Sequence, residues 1–224
     1  MCRSRCFPNA RTCGNQAMVA RPADSEQISF GQELLRKGTH MGALIIPGGY
    51  YLLALSRLQM VWIMGTAALL MILIDVARLR NWWFWRKIAR HAIQPMVRKH
   101  EVDGDFTGAT YILLSVVATV AMFDKPIAIA ALAFIIVGDA FAALIGRKFG
   151  RHKFGRKSIE GSLGCLLGTL IVACLTPQLS LAVGVAGAFV ATVVEALSTK
   201  IDDNVSVPIL SGLFMSLLTK IVGA

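Results

Sequence analysis

Residues 126–161 read PIAIAALAFIIVGDAFAALIGRKFGRHKFGRKSIEG, an apolar segment that carries one carboxylate, Asp139, and runs into a basic loop punctuated by glycine. The apolar part, about residues 126–146, is long enough as a helix to cross the roughly 30 Å hydrocarbon core of a bilayer. An ionisable side chain inside such a segment is costly and marks a candidate functional site. Six Lys or Arg occupy the eleven positions from Arg147 to Lys157. The pattern predicts a membrane helix that ends at an anion-binding loop.

The composition of the whole chain predicts the same class of protein. Of 224 residues, 55% are hydrophobic and only 16% are charged, and the mean hydropathy is +0.62. Helices are the expected spanning element, because backbone polar groups find no water in the bilayer core. We predict an all-α fold, a polytopic membrane helix bundle of residues 33–224, preceded by a disordered or loosely attached arm of residues 1–32. The bundle has about seven predicted transmembrane helices, at about 41–56, 58–79, 107–123, 126–146, 160–176, 179–197 and 206–223.

The distribution of charge predicts the orientation of the bundle. If the N-terminus is cytoplasmic, all Lys and Arg fall on the cytoplasmic side except Arg57, Lys125 and Lys220, as the positive-inside rule requires. Topology therefore explains the net charge of +10, and no nucleic-acid partner is predicted. Nearly all acidic residues lie at or near the cytoplasmic helix ends in this arrangement. We predict an integral, multi-pass membrane protein with its active site on the cytoplasmic face.

The basic loop is the predicted phosphate site. Its glycines let backbone N–H groups converge on an anion, and its cations supply charge. The fifth helix, opened by Ser158 and Glu160, adds the positive end of a helix dipole. A loop that is basic only because of topology is the alternative, but it leaves the glycines and Asp139 unexplained. The residues predicted to bind a nucleotide here are Gly146, Arg147, Lys148, Gly150, Arg151, Lys153, Gly155, Arg156, Lys157, Ser158 and Glu160.

A P-loop does not fit this segment. Arg156 separates the second glycine, Gly155, from Lys157, whereas the P-loop pattern requires Lys directly after that glycine. A membrane helix precedes the loop, whereas a P-loop follows a strand of an α/β domain. The segment can still bind phosphate in the way a P-loop does, through backbone N–H groups near glycines and through lysine side chains, but in a different fold.

Two more polar segments lie at the predicted cytoplasmic face. Arg36, Lys37 and His40 fall within one helical turn before the first helix, where they predict a phosphate contact or, alternatively, a snorkelling anchor. Glu195 lies in the last turn of an apolar helix, where a carboxylate requires a metal or a cation. Asp202 and Asp203 follow it. Considered without the other acids, they would indicate an ordinary turn with a helix cap before Pro208. We predict that Asp139, Glu195 and one of Asp202 and Asp203 share a Mg²⁺ ion, which binds a few carboxylates together with phosphate oxygens.

Four motifs, in this order, resemble one protein family. They are RKGTH (36–40), Glu101 followed by TGAT (107–110), GDAFAALIGRKFGRHKFGRKSIEGS (138–162) and VEALSTKIDDNVSVP (194–208). The set resembles the dolichol kinase, phytol kinase and CTP-dependent diacylglycerol kinase family, over roughly residues 33–223. The resemblance implies a membrane lipid kinase that transfers the terminal phosphate of a nucleoside triphosphate, commonly CTP, to a lipid alcohol such as a polyprenol, phytol or diacylglycerol.

The residues and the resemblance together predict a mechanism. The basic loop and the Arg36–Lys37 pair hold the triphosphate, the carboxylates position Mg²⁺, and the lipid hydroxyl attacks the terminal phosphorus, with Asp139 as a candidate base. A phosphatidate cytidylyltransferase is the alternative, although the Lys-Asp and His-Gly-Gly-x-x-Asp-Arg run of that group is absent. A transporter is disfavoured because the acids gather at one face. The predicted catalytic residues are Asp139, Glu195 and His40, and the predicted metal ligands are Asp139, Glu195, Asp202 and Asp203.

Overall fold

The structure, a computed structural model, describes residues 38, 40–80, 106–155, 157–198 and 202–222. These ranges contain seven helices and one two-stranded antiparallel hairpin. The predicted arm and the candidate site residues Arg36, Lys37, Glu101 and Arg156 lie outside the described residues. The elements are α1 (Ile45–Leu52), α2 (Arg57–Leu79), α3 (Gly108–Met122), α4 (Lys125–Phe149), β1 (Lys153–Phe154), β2 (Lys157–Ser158), α5 (Ile159–Leu175), α6 (Leu181–Leu197) and α7 (Asp203–Val222).

Helix α4 forms the centre of the bundle. It begins after Asp124 with Pro126 in its first turn, a position that suits the missing N–H of proline. Residues 127–136 are all buried, and Phe134 is completely enclosed. The helix continues to Phe149, three residues beyond the predicted end, so that Asp139 lies about 15 Å before its last residue. The carboxylate is therefore farther from the helix end than the predicted spans implied.

Among the described residues, three helices are long and apolar enough to cross a membrane: α2 with 23 residues, α4 with 25 and α7 with 20. The apolar helices α3, α5 and α6 are shorter, with 15, 17 and 17 residues. Large apolar side chains are exposed around the bundle, among them Leu52, Trp62 and Leu175. Such an apolar circumference suits contact with lipid rather than with water. The all-helical bundle is confirmed, and its apolar helices are of the kind expected in a multi-pass membrane protein.

The first predicted span, 41–56, is wrong as a continuous membrane helix. A turn interrupts it at Ala43 and Leu44, and α1 has only eight residues. Eight residues rise about 12 Å, less than half of the bilayer core. The sequence Pro47-Gly48-Gly49 inside α1 explains the short length, because proline and glycine are the weakest helix formers. Helix α1 instead packs on α4, with Tyr50 almost fully buried.

Glycines bring α4 and α5 into close contact. A Cβ on Gly164 of α5 would lie 2.8 Å from the carbonyl oxygen of Phe141 in α4. A Cβ on Gly138 of α4 would lie 2.9 Å from the sulfur of Cys165 in α5. Side chains larger than hydrogen do not fit at these positions, so the small-residue pattern creates the interface. The contact fixes the geometry on both sides of the basic hairpin, which joins the two helices.

The two ends of the bundle differ in their charged residues. At one end Arg57 pairs with Asp124 at 2.7 Å, and Lys125 donates to the carbonyl oxygen of Leu55 at 2.9 Å. These are residues that the positive-inside analysis assigned to the outer side. The opposite end, where α2, α4 and α6 finish and α3, α5 and α7 begin, carries the acids of the predicted site together with the hairpin. We call it the polar end.

Candidate active site

A histidine and an aspartate meet inside the polar end. Nε2 of His40, just before α1, lies 3.8 Å from Oδ2 of Asp139 in α4. Their side chains are 13% and 27% exposed, so the pair is largely shielded but still accessible. Imidazole beside carboxylate is an arrangement that can accept a proton and hold it. The structure thus brings together two of the three predicted catalytic residues.

The third predicted catalytic residue, Glu195, is paired with a lysine of the basic loop. Nζ of Lys157 lies 2.6 Å from Oε1 of Glu195, and it also donates to the backbone carbonyl oxygen of Glu195. Glu195 is only 5% exposed, at the last turn of α6, and a buried carboxylate requires such a cation. Its second oxygen, Oε2, is buried and has no hydrogen-bond partner among the described residues. That oxygen is free to bind a cation.

The basic loop folds as a short hairpin above these side chains. Lys153 faces Ser158 and Phe154 faces Lys157 across the two strands, and Gly155 turns the chain with φ of +64°. This left-handed conformation favours glycine. Lys153 is exposed, as is Arg151 before it, so both are accessible to a soluble anion.

Glu160, a predicted nucleotide contact, anchors the start of this hairpin. Its Oε1 lies 2.8 Å from Nδ1 of His152, and both carboxylate oxygens accept from the backbone N–H of His152. Glu160 lies at the loop end of α5, and we interpret its carboxylate as a support of the hairpin.

The glycines and Ser158 of the predicted phosphate site have packing and capping roles. A Cβ on Gly146 would lie 3.2 Å from Oγ of Ser158 and 3.3 Å from Cα of Gly161. A Cβ on Gly150 would lie 2.9 Å from the same hydroxyl. Oγ of Ser158 accepts from the N–H of Gly161 at 3.1 Å and so caps α5. Helix packing and capping are thus sufficient reasons for glycine at 146 and 150 and for serine at 158. The role of these residues in phosphate binding stays a prediction.

Two basic residues of the loop end α4 instead of lying in a free loop. Arg147 and Lys148 are exposed in its last turn, where cations favour the negative end of the helix dipole. Nζ of Lys148 lies 5.3 Å from the ring centre of Phe149. Both side chains face outwards at the polar end, on the same connection as the hairpin.

Asp202 and Asp203 open α7 beside the other acids. Oδ1 of Asp202 accepts from the backbone N–H of Asn204 at 2.9 Å, so Asp202 provides the helix cap expected before Pro208. Asp203 is within electrostatic range of Asp139, Asp202, Glu195 and Lys157. Within the described ranges, no three His, Cys, Asp or Glu side chains form a ready-made metal cluster. Mg²⁺ commonly takes only one or two carboxylates and completes its shell with phosphate oxygens and water, and the acids at this end fit that donor set.

A buried carboxylate, Asp75, was not among the predicted site residues. It is fully buried near the end of α2, and its Oδ2 accepts from Thr107 N–H at 2.9 Å, Thr107 Oγ1 at 3.0 Å and Thr110 Oγ1 at 2.7 Å. Nε of Arg78 lies 3.3 Å from its Oδ1. Thr107 is the N-cap residue of α3, but its hydroxyl donates to Asp75 and makes no capping hydrogen bond to the helix. The Asp-x-x-Arg spacing at the end of an apolar helix was the available signal.

A small apolar pocket extends from the polar end into the bundle. His40 and Asn204 supply polar groups, and Ser115 of α3 contributes a hydroxyl. The remaining lining is apolar and comes from the segment of α1, from α3 and from α4: Ala43, Ile46, Pro47, Ile112, Val116, Leu132, Ile135 and Ile136. His40, which lies beside Asp139, therefore faces a small and mostly apolar pocket.

The chain is similar in sequence to three curated proteins. An uncharacterized protein of Rickettsia prowazekii is 28% identical over 189 residues, which cover 80% of this chain and 91% of that protein. CTP-dependent diacylglycerol kinase 1 of Saccharomyces cerevisiae is 26% identical over 216 residues, covering 84% of this chain and 74% of that protein. A chloroplastic protein of Oryza sativa subsp. japonica, named probable phytol kinase 1, is 32% identical over 146 residues. These residues cover 56% of this chain and 46% of that protein.

No protein-family model matches the chain, and no solved structure matches it. The similarity to the diacylglycerol kinase nevertheless covers most of this chain, and the similarity to the probable phytol kinase covers about half of it. It confirms the resemblance to the lipid kinase family, and the chain is a distant relative of a CTP-dependent diacylglycerol kinase and of a probable phytol kinase.

Proposed function

We propose that this protein is an integral membrane lipid kinase, which transfers the terminal phosphate of CTP to a lipid alcohol at the cytoplasmic face of the membrane. The observation that carries the proposal is the position of Asp139 beside His40, which lines an apolar pocket, on the helix that leads to the exposed basic hairpin. A lipid hydroxyl and a nucleotide phosphate need these two environments side by side. The similarity to CTP-dependent diacylglycerol kinase 1 supports both the reaction and the donor.

The exposed cations of the hairpin bind the phosphates of the nucleotide in this account. Arg151 and Lys153 are accessible, and Arg147 and Lys148 lie on the same connection between α4 and α5. Phosphoryl transfer requires mainly positioning and neutralisation of charge, so several flexible cations suit the task. Arg36 and Lys37, with Arg156, are proposed to complete this set.

One or two of the carboxylates of Asp139, Glu195, Asp202 and Asp203 would hold Mg²⁺ in this proposal, and phosphate oxygens and water would complete its shell. The buried Oε2 of Glu195, which has no hydrogen-bond partner among the described residues, is the observation that fits a cation at this place. When bound, the metal supplies neutralisation of charge on the phosphate oxygens. The chain's own contribution is to hold these carboxylates close to one another and to fix the Glu195 side chain through Lys157.

The acceptor lipid enters from the bilayer, and its hydroxyl lies at the His40–Asp139 pair. The hydroxyl oxygen forms a bond to the terminal phosphorus of CTP while the bond from that phosphorus to the bridging oxygen breaks. The products are a lipid phosphate and CDP. The hydroxyl proton passes to Asp139, with His40 beside it. An enzyme with a hydrophobic acceptor needs few soluble parts, which agrees with a fold that is almost entirely membrane helix.

A radiolabelling experiment tests the reaction. The purified chain in detergent or vesicles is given Mg²⁺ and CTP labelled at either the γ or the α phosphorus, with a panel of polyprenol, phytol and diacylglycerol. We expect label in lipid from the γ position only. Label from the α position would indicate a cytidylyltransferase, which joins the α phosphorus to a lipid phosphate and releases pyrophosphate. If neither CTP nor ATP labels any lipid, the kinase proposal is wrong.

A further inference from the structure

Lys148, in the last turn of α4, lies on the side of that helix that faces away from Asp139. The two residues are nine positions apart, about two and a half helical turns, so their side chains leave opposite faces. Gly146 and Gly150 share the face of Asp139 instead, and both pack against the hydroxyl of Ser158. Among the described residues, no acid forms an ion pair with Lys148. This lysine therefore has an exposed charge that points away from the candidate active site.

The face of α4 that carries Lys148 is exposed and apolar one turn earlier. Leu144 precedes Lys148 by four residues, which places it on the same face, and it is 63% exposed. It stands out on a helix whose residues 127–136 are all buried. Helix α5, which packs on this end of α4, likewise exposes its first residue, Ile159. In an apolar bundle such side chains face the acyl chains of lipids, so Lys148 continues a lipid-facing surface outwards.

The length of α4 places Lys148 at the level of the lipid headgroups. Lys125, the first residue of the helix, and Lys148 are 23 residues apart, which is about 34 Å along the axis. A tilt of about 20° reduces this distance to about 32 Å across the membrane, close to the roughly 30 Å of the hydrocarbon core. When Lys125 lies at one surface of the core, Lys148 therefore emerges at the other.

An exposed aromatic ring accompanies the lysine at this level. Phe149 is 56% exposed, and its ring centre lies 5.3 Å from Nζ of Lys148. Phe154 of the hairpin is exposed as well. Aromatic rings next to cations are typical of segments that lie in the headgroup region, where the ring contacts the glycerol and acyl carbons and the ammonium group reaches the phosphate. Lys148 and Phe149 thus match the two parts of a phospholipid at the membrane surface.

We propose that Lys148 and Phe149 bind an anionic phospholipid of the surrounding bilayer. The ammonium group of Lys148 pairs with the headgroup phosphate, Phe149 contacts the glycerol region, and Leu144 contacts an acyl chain. An anionic headgroup binds better than a zwitterionic one, because the quaternary ammonium of phosphatidylcholine already neutralises its phosphate. One lysine near the surface provides about a fivefold preference. This contact is independent of the proposed reaction, and it separates Lys148 from Arg151 and Lys153, the cations proposed to bind the nucleotide.

Site-specific photocrosslinking tests the lipid contact. The chain, with the photoreactive aromatic residue benzoylphenylalanine in place of Phe149, is reconstituted in vesicles of equal parts phosphatidylglycerol and phosphatidylcholine. Mass spectrometry identifies the lipid that becomes attached. We expect about five phosphatidylglycerol adducts for each phosphatidylcholine adduct. The same residue in place of Leu167, an exposed position within α5, is the control and should give nearly equal amounts, which also reports correct insertion. Equal ratios at the two positions, or no lipid adduct at 149, would overturn the proposal.

The variant Lys148→Gln assigns the preference to the lysine. With the photoreactive residue at 149, it should lower the ratio to within about twofold of that at 167. Lys220→Gln is the matched control, because it removes an exposed cation near the end of α7 and should keep the ratio unchanged. A preference that survives in Lys148→Gln contradicts the role of Lys148. Loss of the preference when CTP and Mg²⁺ are added would place Lys148 in the nucleotide site and would likewise overturn the proposal.

Discussion

Nζ of Lys157 and Oε1 of Glu195 lie 2.6 Å apart and join the basic hairpin to the end of α6. Glu195 is 5% exposed and the Lys157 side chain is 24% exposed, so the loss of Lys157 leaves a buried carboxylate without its cation. The contact also holds the hairpin next to the candidate metal site.

Lys157→Met should therefore destabilise the protein by about 3–5 kcal/mol, because the carboxylate of Glu195 remains buried without a cation. The double variant Lys157→Met with Glu195→Gln should regain most of this stability, since no buried charge remains. Thermal unfolding in detergent measures both. Activity should stay low in the double variant, because Glu195 is a proposed metal ligand. A double variant as unstable as Lys157→Met alone would show that the ion pair is not the source of the effect.

Asp75→Ala should destabilise the protein by about 3–5 kcal/mol, because three donors and Arg78 lose a fully buried partner. Asp124→Asn is the matched control. It weakens an exposed ion pair, in which the Asp124 side chain is 80% exposed, and should change stability by no more than about 1 kcal/mol. Unfolding in detergent compares the two variants. Similar stability of Asp75→Ala and the unmodified protein would mean that the cluster around Asp75 does not anchor α3.

Gly164→Ala should separate α4 from α5, because its Cβ would lie 2.8 Å from the backbone carbonyl oxygen of Phe141. Overpacking of this kind typically costs about 1–3 kcal/mol. Gly65→Ala on α2 is the control, since no atom lies within 4 Å of its Cβ position, and alanine there should be neutral or stabilising by up to about 1 kcal/mol. Thermal unfolding ranks the two. The same response at both positions would contradict glycine-mediated packing.

The double variant Arg151→Gln with Lys153→Gln should raise the KM for CTP about tenfold, with a smaller change in kcat, because exposed cations contribute to binding of the phosphates. Lys220→Gln, which removes an exposed cation near the end of α7, should leave KM unchanged. Steady-state kinetics at fixed ionic strength gives both values. An unaltered KM in the double variant would remove the hairpin from the nucleotide site.

Most helix positions could be predicted from the sequence, because apolar runs between polar turns determine them. The predicted span 58–79 became α2, Arg57–Leu79, with a capping box between Ser56 and Gln59. The end of α4 was predicted too early, since Arg147-Lys148-Phe149 looks like a loop although cations favour a helix C-terminus. The first span failed because its apolar composition does not reveal the turn at Ala43 and Leu44.

The residue types of the candidate site could be predicted, but their partners could not. Periodicity places Asp139 and Gly146 on one face of α4, yet only the fold brings His40 to that carboxylate. Lys157 and Glu195 were predicted as separate phosphate and metal ligands, and the structure pairs them over a separation of 38 residues. The buried cluster around Asp75 was not predicted, because its partners Thr107 and Thr110 lie at the start of another helix. Such long-range pairing depends on packing, which local sequence does not encode.

The central claim is tested most directly by Asp139→Asn. Transfer of the γ phosphate from labelled CTP to lipid is measured for this variant and for Asp124→Asn, which changes the same residue type at the opposite end of the bundle. We predict that Asp139→Asn retains less than about 1% of the activity, consistent with loss of a group essential for phosphoryl transfer, while membrane insertion and thermal stability stay near normal. Asp124→Asn should remain active. An Asp139→Asn variant that keeps most of its activity would contradict the proposed site.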